Sequence, residues 1–356
     1  MSKKKKILVV PLNWGLGHAT RCIPIIRELL AQDASVLIGG DGMALAYLKN
    51  EFPNLPIINI PDLKVRYPKS GWYLLYFALR IPKLFTYVKK ENQALKKLVR
   101  EYQIDGIISD NRYGLYHNSK PSILITHQLF IETPSLKKTM HGIVRKLVSK
   151  FAECWIPDTA GSNNLSGNLS HLKQNLTNVK FIGPLSRFTA QNKEAHPKRT
   201  AIAILSGPEP FRTQLEEILM KKLSTTNFKS LIVRGVVSNK NTKKPLDKNV
   251  AVIDYLSSAE LLKEIEASEF VIARSGYSTI MDLAALQQKA LLIPTPGQTE
   301  QEYLAQHLTN HALFTFSNQE SINLQESFNL LKGQKTEKEL SSSSLTQNVT
   351  GLLGRC

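Results

Sequence analysis

The residues Asn13 to Arg21, NWGLGHATR, put two glycines, a histidine and an arginine directly behind the apolar run ILVVPL. Gly15 and Gly17 open backbone conformations closed to other residues and let a ligand approach the main chain where a helix begins. His18 then stands at a strand end and a helix start, where its imidazole can take a proton from a ligand hydroxyl, and the positive helix end favours the neutral, basic form. A purely structural turn with a hydrogen-bonded histidine uses the same residue types, so this stretch alone leaves both readings open. It is not the dinucleotide fingerprint, because Thr20 stands where the third glycine belongs. Pro24, tolerated in first helical turns, predicts a helix that starts close to Thr20.

A second chemistry-bearing stretch runs from 269 to 306, EFVIARSGYSTIMDLAALQQKALLIPTPGQTEQEYLAQ. It reads as a strand, a loop ARSGYS, a helix beginning near Ser278, another strand and a polar loop rich in Gln and Glu. Ser275 and Gly276 with the amides that follow form an anion site at a helix start, and Arg274 adds charge. Asp282 falls one turn beyond Ser278 on the same face, where a carboxylate can accept both hydroxyls of a ribose; taken alone it is equally a helix-stabilising charge. ISDNRYG (108–114) and ITHQL (125–129) each follow an apolar strand. They offer Asp110, Arg112 and His127 to orient an acceptor. Asp110 is a second candidate base, or a loop aspartate capping local amides.

The elements that must carry these residues alternate. Apolar runs at ILVVPL, SVLIGG, PIINI, DGIISD, SILIT, CWIP and VKFIG are separated by stretches of helical periodicity, the pattern of a parallel sheet. The polar stretch 189–200 interrupts it, and the pattern restarts with AIAILSG, SLIVRG, VAVIDYL, FVIAR and ALLIPT. The expected fold is α/β: two doubly wound, Rossmann-like domains facing across a cleft. The expected boundaries are a first domain over 1–188, a linker at 189–200, a second domain over 201–332 and a tail at 333–356 with a terminal helix and a loose end. Ligands of such sheets bind outside the carboxyl ends of the strands.

Composition narrows the class. A chain of 356 residues exceeds one compact core. The formal charge is +17, and residues 1–200 hold 30 Lys/Arg against 13 Asp/Glu while 201–356 hold 16 of each. The excess is spread through the first domain without a zinc-finger, helix-turn-helix or RNA-recognition signature, which argues against a nucleic-acid binder. Cys22, Cys154 and Cys356 are too far apart for a disulfide framework or zinc cluster and point to a reducing compartment. Lys3 to Lys6 before ILVVPL resembles a signal-peptide start, but the apolar run ends at Asn13 with no small-residue cleavage site. The expected location is the cytoplasm, or the inner face of the plasma membrane as a peripheral protein. The segment 72–90, WYLLYFALRIPKLFTYVKK, suits a buried helix and equally a membrane-surface patch.

Taken together these stretches resemble glycosyltransferases of the two-domain GT-B fold, and most of all family 28, which includes the lipid-linked peptidoglycan N-acetylglucosaminyltransferases. The likeness is most specific at ARSGYSTIMDLAALQQKALLIPTPGQTEQEYLA, where a nucleotide-sugar site has the same order of arginine-serine-glycine loop, acidic helix residue, Pro-x-Pro and Gln-Glu loop. At the N-terminus the family carries a GGTGGH-type loop; here the last glycine and the histidine are kept, and Asn13 and Trp14 replace leading glycines. The resemblance implies His18 at the reaction centre and Gly17 beside it. On the donor side it implies Ser206, Gly207 and Arg187 near the diphosphate, Leu256 near the uracil, Asp282 on the ribose, where the family has glutamate, and Gln298, Glu300 and Gln301 on the sugar. Asn13, Arg112 and His127 fall on the acceptor side.

The implied activity is inverting transfer of a hexose or N-acetylhexosamine from a UDP-sugar to a hydroxyl of a glycan or lipid-linked acceptor. No cofactor is expected and, since the chain has no Asp-x-Asp motif, no metal. Nucleotide-sugar 2-epimerases share the fold and donor and are the enzymatic alternative; a basic nucleic-acid-binding protein is the other.

Overall fold

The computed structural model describes residues 3–61, 81–130, 137–172, 176–188, 199–207, 209–236, 244–309, 311–334 and 344–356. The linker at 189–198 and the part of the aromatic-basic segment at 72–80 lie outside them. The chain divides into two units, Met1–Leu185 with Ser341–Cys356, and Ser186–Leu340.

In the first unit the apolar runs become β1 (Lys6–Pro11), β2 (Ser35–Gly40), β3 (Ile57–Asn59), β4 (Gly106–Asp110), β5 (Ser122–Ile125), β6 (Glu153–Ile156) and β7 (Val179–Phe181). They form one parallel sheet in the order β3-β2-β1-β4-β5-β6-β7. Helices α1 (Leu16–Ala31), α2 (Gly42–Glu51), α3 (Ile81–Glu101), α4 (Lys137–Val148) and the single turn α5 (Asn168–His171) connect them. Both faces are covered, which is why β1 and β4 read as unbroken apolar runs rather than alternating ones. Leu8, Val10, Ile107, Leu95 and Val99 meet in one core between sheet and α3.

Helix α1 begins at Leu16, with Gly15 at φ 82° before it, not near Thr20, and Pro24 lies inside it. A proline there forfeits one helical hydrogen bond and costs about 3 kcal/mol. Ile23, Ile25, Ile26 and Leu29 are all fully buried, each contributing roughly 1.5–3 kcal/mol, so packing outweighs the penalty. The earlier start puts Gly17 and His18 inside the first helical turn.

The second unit is built the same way, from β8 (Arg199–Ile204), β9 (Ser230–Val233), β10 (Lys244–Pro245), β11 (Val250–Ile253), β12 (Ser268–Ala273), β13 (Ala290–Leu292) and β14 (Phe314–Phe316). Their order is β10-β11-β9-β8-β12-β13-β14, with only the edge strand β10 antiparallel. The helices are α6 (Phe211–Ser224), α7 (Ser258–Glu266), α8 (Tyr277–Ala285), α9 (Thr299–His307) and α10 (Leu324–Gly333).

The last helix, α11 (Leu345–Arg355), corrects the expected tail: it belongs to the first unit. Thr350 Oγ1 donates to Gln32 Oε1 at 2.9 Å, and Arg355 reaches Glu153 at 2.7 Å. Its Val349 and Leu352 are fully buried. The terminal segment is thus part of the first unit's core.

Candidate functional site

Each sheet has one place where its strand order reverses, and crevices for ligands open there. In the first unit it lies between β1 and β4, paired in register up to Pro11 and Asp110. The turn NWGLGH leaves β1 at this point, and Asp110 is the last residue of β4.

Four polar side chains converge on this point from β4, α1 and the segment after β5. His18 Nδ1 is 3.1 Å from Asp110 Oδ1. Arg21, one turn further along α1, donates from Nε to Asp110 Oδ2 at 2.5 Å and from Nη2 to Oδ1. Arg21 Nη2 also lies 2.7 Å from His18 Nδ1, and Nη1 lies 3.0 Å from His127 Nδ1. Asp110 is fully buried, while the His18 side chain is 13% exposed and so is the member that a substrate can reach.

The electrostatics follow from this geometry. Burial by itself would raise the Asp110 pKa, but Arg21 and then His18 outweigh it and bring the group down to about 2. His18 is lowered from its ordinary value, first by burial and then by Arg21, so the neutral imidazole prevails at neutral pH. These facts divide the two candidate bases: Asp110 is an enclosed, ionised carboxylate with both oxygens held by a guanidinium, and His18 is the neutral group with access. This geometry favours His18 over Asp110 as the candidate base.

Two further positions were differently legible. Arg112, expected on the acceptor side, is engaged by the fold. It is buried, bonded through Nε to Glu91 at 2.7 Å and through its other nitrogens to the carbonyls of Ile60 and Pro61, tying β3's exit to α3. Asn13 accepts from the Ala44 amide at 3.2 Å and fastens the turn to α2. Asn111, which no sequence pattern singles out, follows Asp110 in a left-handed conformation (φ 59°), and its buried Oδ1 has no hydrogen-bond partner among the described residues. Asn tolerates that conformation better than most residues. Arg21 was also missed, since its partners Asp110 and His127 are far away in sequence.

In the second unit the strand order reverses between β8 and β12. Ser206 and Gly207 follow β8 and are exposed, Gly207 at φ 103°. After β12 the chain passes through Arg274 and Ser275 to Gly276, the residue before α8, which has no side chain of its own to cap the helix. A Cβ built on Gly276 or on Gly207 meets nothing within 4 Å. A helix start beside open space is the kind of place where backbone amides can receive an anion.

The side chains around it are spent otherwise than the sequence suggested. Arg274 is buried and donates to the carbonyls of Phe211 and Pro294 at 2.8 and 2.9 Å and to Gln319 Oε1 at 2.7 Å. Burial lowers its pKa to about 10, so it keeps its charge beneath the loop without pointing at a ligand. Ser275 Oγ donates to the Gln301 carbonyl at 2.8 Å, and Gln301 Oε1 accepts from the Thr295 amide at 2.8 Å, which pins the Pro-x-Pro loop. Asp282 accepts from Ser186 Oγ at 2.9 Å, the Arg187 amide at 3.2 Å and Arg187 Nε at 3.1 Å. That pairing engages the groups expected on the ribose and diphosphate and fixes the 186–188 segment to α8. Leu256 is half-buried between β11 and α7, whose start is closed by a capping box from Ser257 and Glu260. Gln298 immediately precedes α9, with Glu300 in its first turn, and both are half-buried.

Comparison with known proteins agrees with this anatomy. Residues 190–350 match the glycosyltransferase family 28 C-terminal domain. An uncharacterized glycosyltransferase of Methanopyrus kandleri is 20% identical over 302 residues, covering 81% of this chain and 85% of that protein. The UDP-N-acetylglucosamine--N-acetylmuramyl-(pentapeptide) pyrophosphoryl-undecaprenol N-acetylglucosamine transferase of Chlamydia trachomatis serovar L2 is 24% identical, covering 83% of this chain and 80% of its own. Among solved structures, MurG of Acinetobacter baumannii superposes with a TM-score of 0.59 at 14% identity, over 99% of this chain and 100% of that one.

Proposed function

We propose that this chain, a glycosyltransferase of the GT-B fold similar to family 28, moves a hexose or N-acetylhexosamine from UDP to a hydroxyl of a glycan or lipid-linked acceptor, with inversion. The observation that carries the reading is the contact of His18 with an enclosed, ionised Asp110 at the point where the first sheet reverses its order. With its Nδ1–H directed at Asp110, His18 offers the Nε2 lone pair to the acceptor hydroxyl. The acceptor oxygen attacks the anomeric carbon opposite the leaving diphosphate, the carbon–oxygen bond to the diphosphate breaks, and the proton ends on Nε2. Asp110 then stabilises the imidazolium. Asn111 Oδ1 is free to accept from a second acceptor hydroxyl.

On the donor side, the amides from Gly276 into α8, with Ser206 and Gly207, take the charge that develops on the diphosphate. Main-chain groups at Leu256 read the base, and Gln298 and Glu300 contact the sugar. Arg274 supplies a buried positive charge beneath the loop and acts at a distance.

The excess positive charge of residues 1–200 supports an anionic membrane as the place where the acceptor is met. On α3, Phe85 is 42% exposed beside the exposed Lys89 and Lys90, an apolar group with a basic rim. No helix among the described residues is long and apolar enough to cross a membrane, and the attachment proposed is peripheral, on the cytoplasmic face.

The test is a thermal-shift panel of UDP, GDP, TDP and their sugars, followed by product analysis with and without acceptor. A nucleotide at 100 times its dissociation constant stabilises the fold by about 2.7 kcal/mol. Stabilisation by none of them overturns the donor assignment; a changed sugar formed from donor alone makes the enzyme an epimerase.

A further inference from the structure

Arg21 sits at the centre of the first unit's polar cluster. It is 2% exposed, it holds both oxygens of Asp110, and it lies within donor distance of Nδ1 on two histidines, 2.7 Å from His18 and 3.0 Å from His127. A guanidinium carries five N–H groups and no lone pair, so it can only donate. An imidazole nitrogen that faces it must supply a lone pair, and in a neutral ring the proton then sits on the other nitrogen, Nε2. Asp110 Oδ1, 3.1 Å from His18 Nδ1, competes for the same nitrogen and demands the opposite tautomer. Of the two partners Arg21 is nearer, and the carboxylate is already engaged through both oxygens.

We propose that Arg21 is a positioning residue that holds His18 and His127 in the Nε2–H tautomer in the resting enzyme, and that His18 becomes a base only when its Nδ1 changes partner from Arg21 to Asp110. In that change Nε2 releases a proton to water and Nδ1 takes one from water, so the net charge is constant. The Nε2 lone pair then receives the acceptor proton. Until the exchange happens His18 cannot activate water, and the donor is spared hydrolysis. His127 remains a hydrogen-bond donor at Nε2 throughout. The second clause rests on the reading of His18 as the base; the tautomer itself does not.

The other groups facing this cluster do not disturb the balance. Cys22 Sγ on α1 is 3.9 Å from Asp110 Oδ2, and burial raises its thiol well above the usual range. Burial likewise raises Tyr113, from the loop after β4. Both stay neutral, and Arg21 and Asp110 are the charged members. Burial and the Arg21 charge both lower the His18 pKa, in keeping with an imidazole that faces a cation.

The experiment is nitrogen NMR on the full-length protein with labelled histidine, above the pH at which His18 titrates. Wild type is expected to show His18 with an unprotonated, pyridine-type Nδ1 and a protonated Nε2, and His127 the same. In Arg21→Lys, which cannot reach Asp110 and both histidines together, His18 should turn its Nδ1–H to Asp110. The acid limb of kcat/KM should then move to higher pH, because the carboxylate is no longer fully neutralised, and donor hydrolysis should rise relative to transfer. A wild-type His18 protonated at Nδ1 overturns the proposal, as does an Arg21→Lys enzyme with unchanged tautomer and acid limb. The wild-type spectrum decides even if the variant fails to fold. His18→Ala with undiminished turnover would remove the base reading separately, whatever the tautomer.

Discussion

The two units share an architecture and use it in opposite ways. Both are seven-stranded sheets whose order reverses beside the N-terminal strand of the unit, and both place their candidate loops at that reversal. In the first unit the reversal is filled by ionisable side chains that bond to one another: His18, Arg21, Asp110 and His127. In the second the ionisable and amide side chains turn inward onto the fold, Arg274 onto carbonyls, Gln301 onto an amide, Asp282 onto residues 186 and 187. Exposed at the loops there are Ser206 and Gly207, with Gln298 and Glu300 half-buried. On the proposed reading, one sheet end moves a proton and the other holds an anion. Side chains can be tuned in basicity, and amides at a helix start supply a fixed field that needs no tuning.

The largest effect that separates these two designs should come from Asp110→Ala. It leaves Arg21 buried without its counter-charge, which typically costs about 3–5 kcal/mol, so urea unfolding should show a loss of that order. The pH sign follows from the direction of the shift. Asp110 is held at about 2, below its unfolded value of 3.8, so its contribution is complete above the unfolded value and disappears as pH falls through about 2. Wild type should therefore lose stability toward pH 2 more steeply than Asp110→Asn; parallel curves would mean that the Arg21–Asp110 pair adds nothing. His18→Ala should fold normally, bind UDP almost as wild type and lose about 100-fold or more in turnover. An equal loss in UDP affinity by calorimetry would mean that the first unit's cluster serves binding rather than proton transfer.

Gly276→Val probes the other design. A Cβ added there meets nothing within 4 Å and the backbone is extended (φ −74°, ψ 136°), so the melting temperature should hold. UDP affinity should fall by about tenfold or more, roughly 1.4 kcal/mol, because the ligand needs close approach to the amides. Unchanged UDP binding would move the anion site elsewhere. Asp282→Asn should show a smaller effect of the opposite kind, about 1 kcal/mol of stability from a weakened tie to Arg187 with little change in intrinsic UDP affinity. If UDP affinity fell while stability held, the ribose role would return.

The strands were readable because a strand buried on both faces leaves an unbroken apolar run, as in ILVVPL and FVIAR. The edge strands of the second sheet left no such trace: β10 is two exposed residues and β14 is only Phe314–Phe316. Pro24 misled the start of α1, because local preference is overridden when the rest of the helix is packed. At the sites, residue type and position after a strand were enough to gather His18, Asp110 and His127. Direction was not readable. Arg112, Arg274, Asp282 and Gln301 have the chemistry of ligand groups, and nothing in their spacing says that their partners are carbonyls, amides and buried charges of the fold itself. Arg21 failed in the opposite sense, since a helix arginine earns no notice until a carboxylate 89 residues away is seen to meet it.

The smallest expected effect is none at all, and it tests the second unit's design directly. A diphosphate leaving group must be neutralised as its bond to the sugar breaks, and transferases can do this with a divalent ion held by carboxylates or with fixed positive potential from protein groups. The chain has no Asp-x-Asp pair, and Asp282 is engaged by Ser186 and Arg187. On the proposed reading the α8 amides and the buried Arg274 charge supply the fixed potential. Initial rates measured after exhaustive EDTA treatment, with the chelator present, should therefore match untreated enzyme within error. Loss of activity that magnesium or manganese restores would mean that the amides bind the nucleotide but do not carry the leaving charge, and the contrast between a proton-moving unit and a backbone-built anion unit would need a metal ion in its second half.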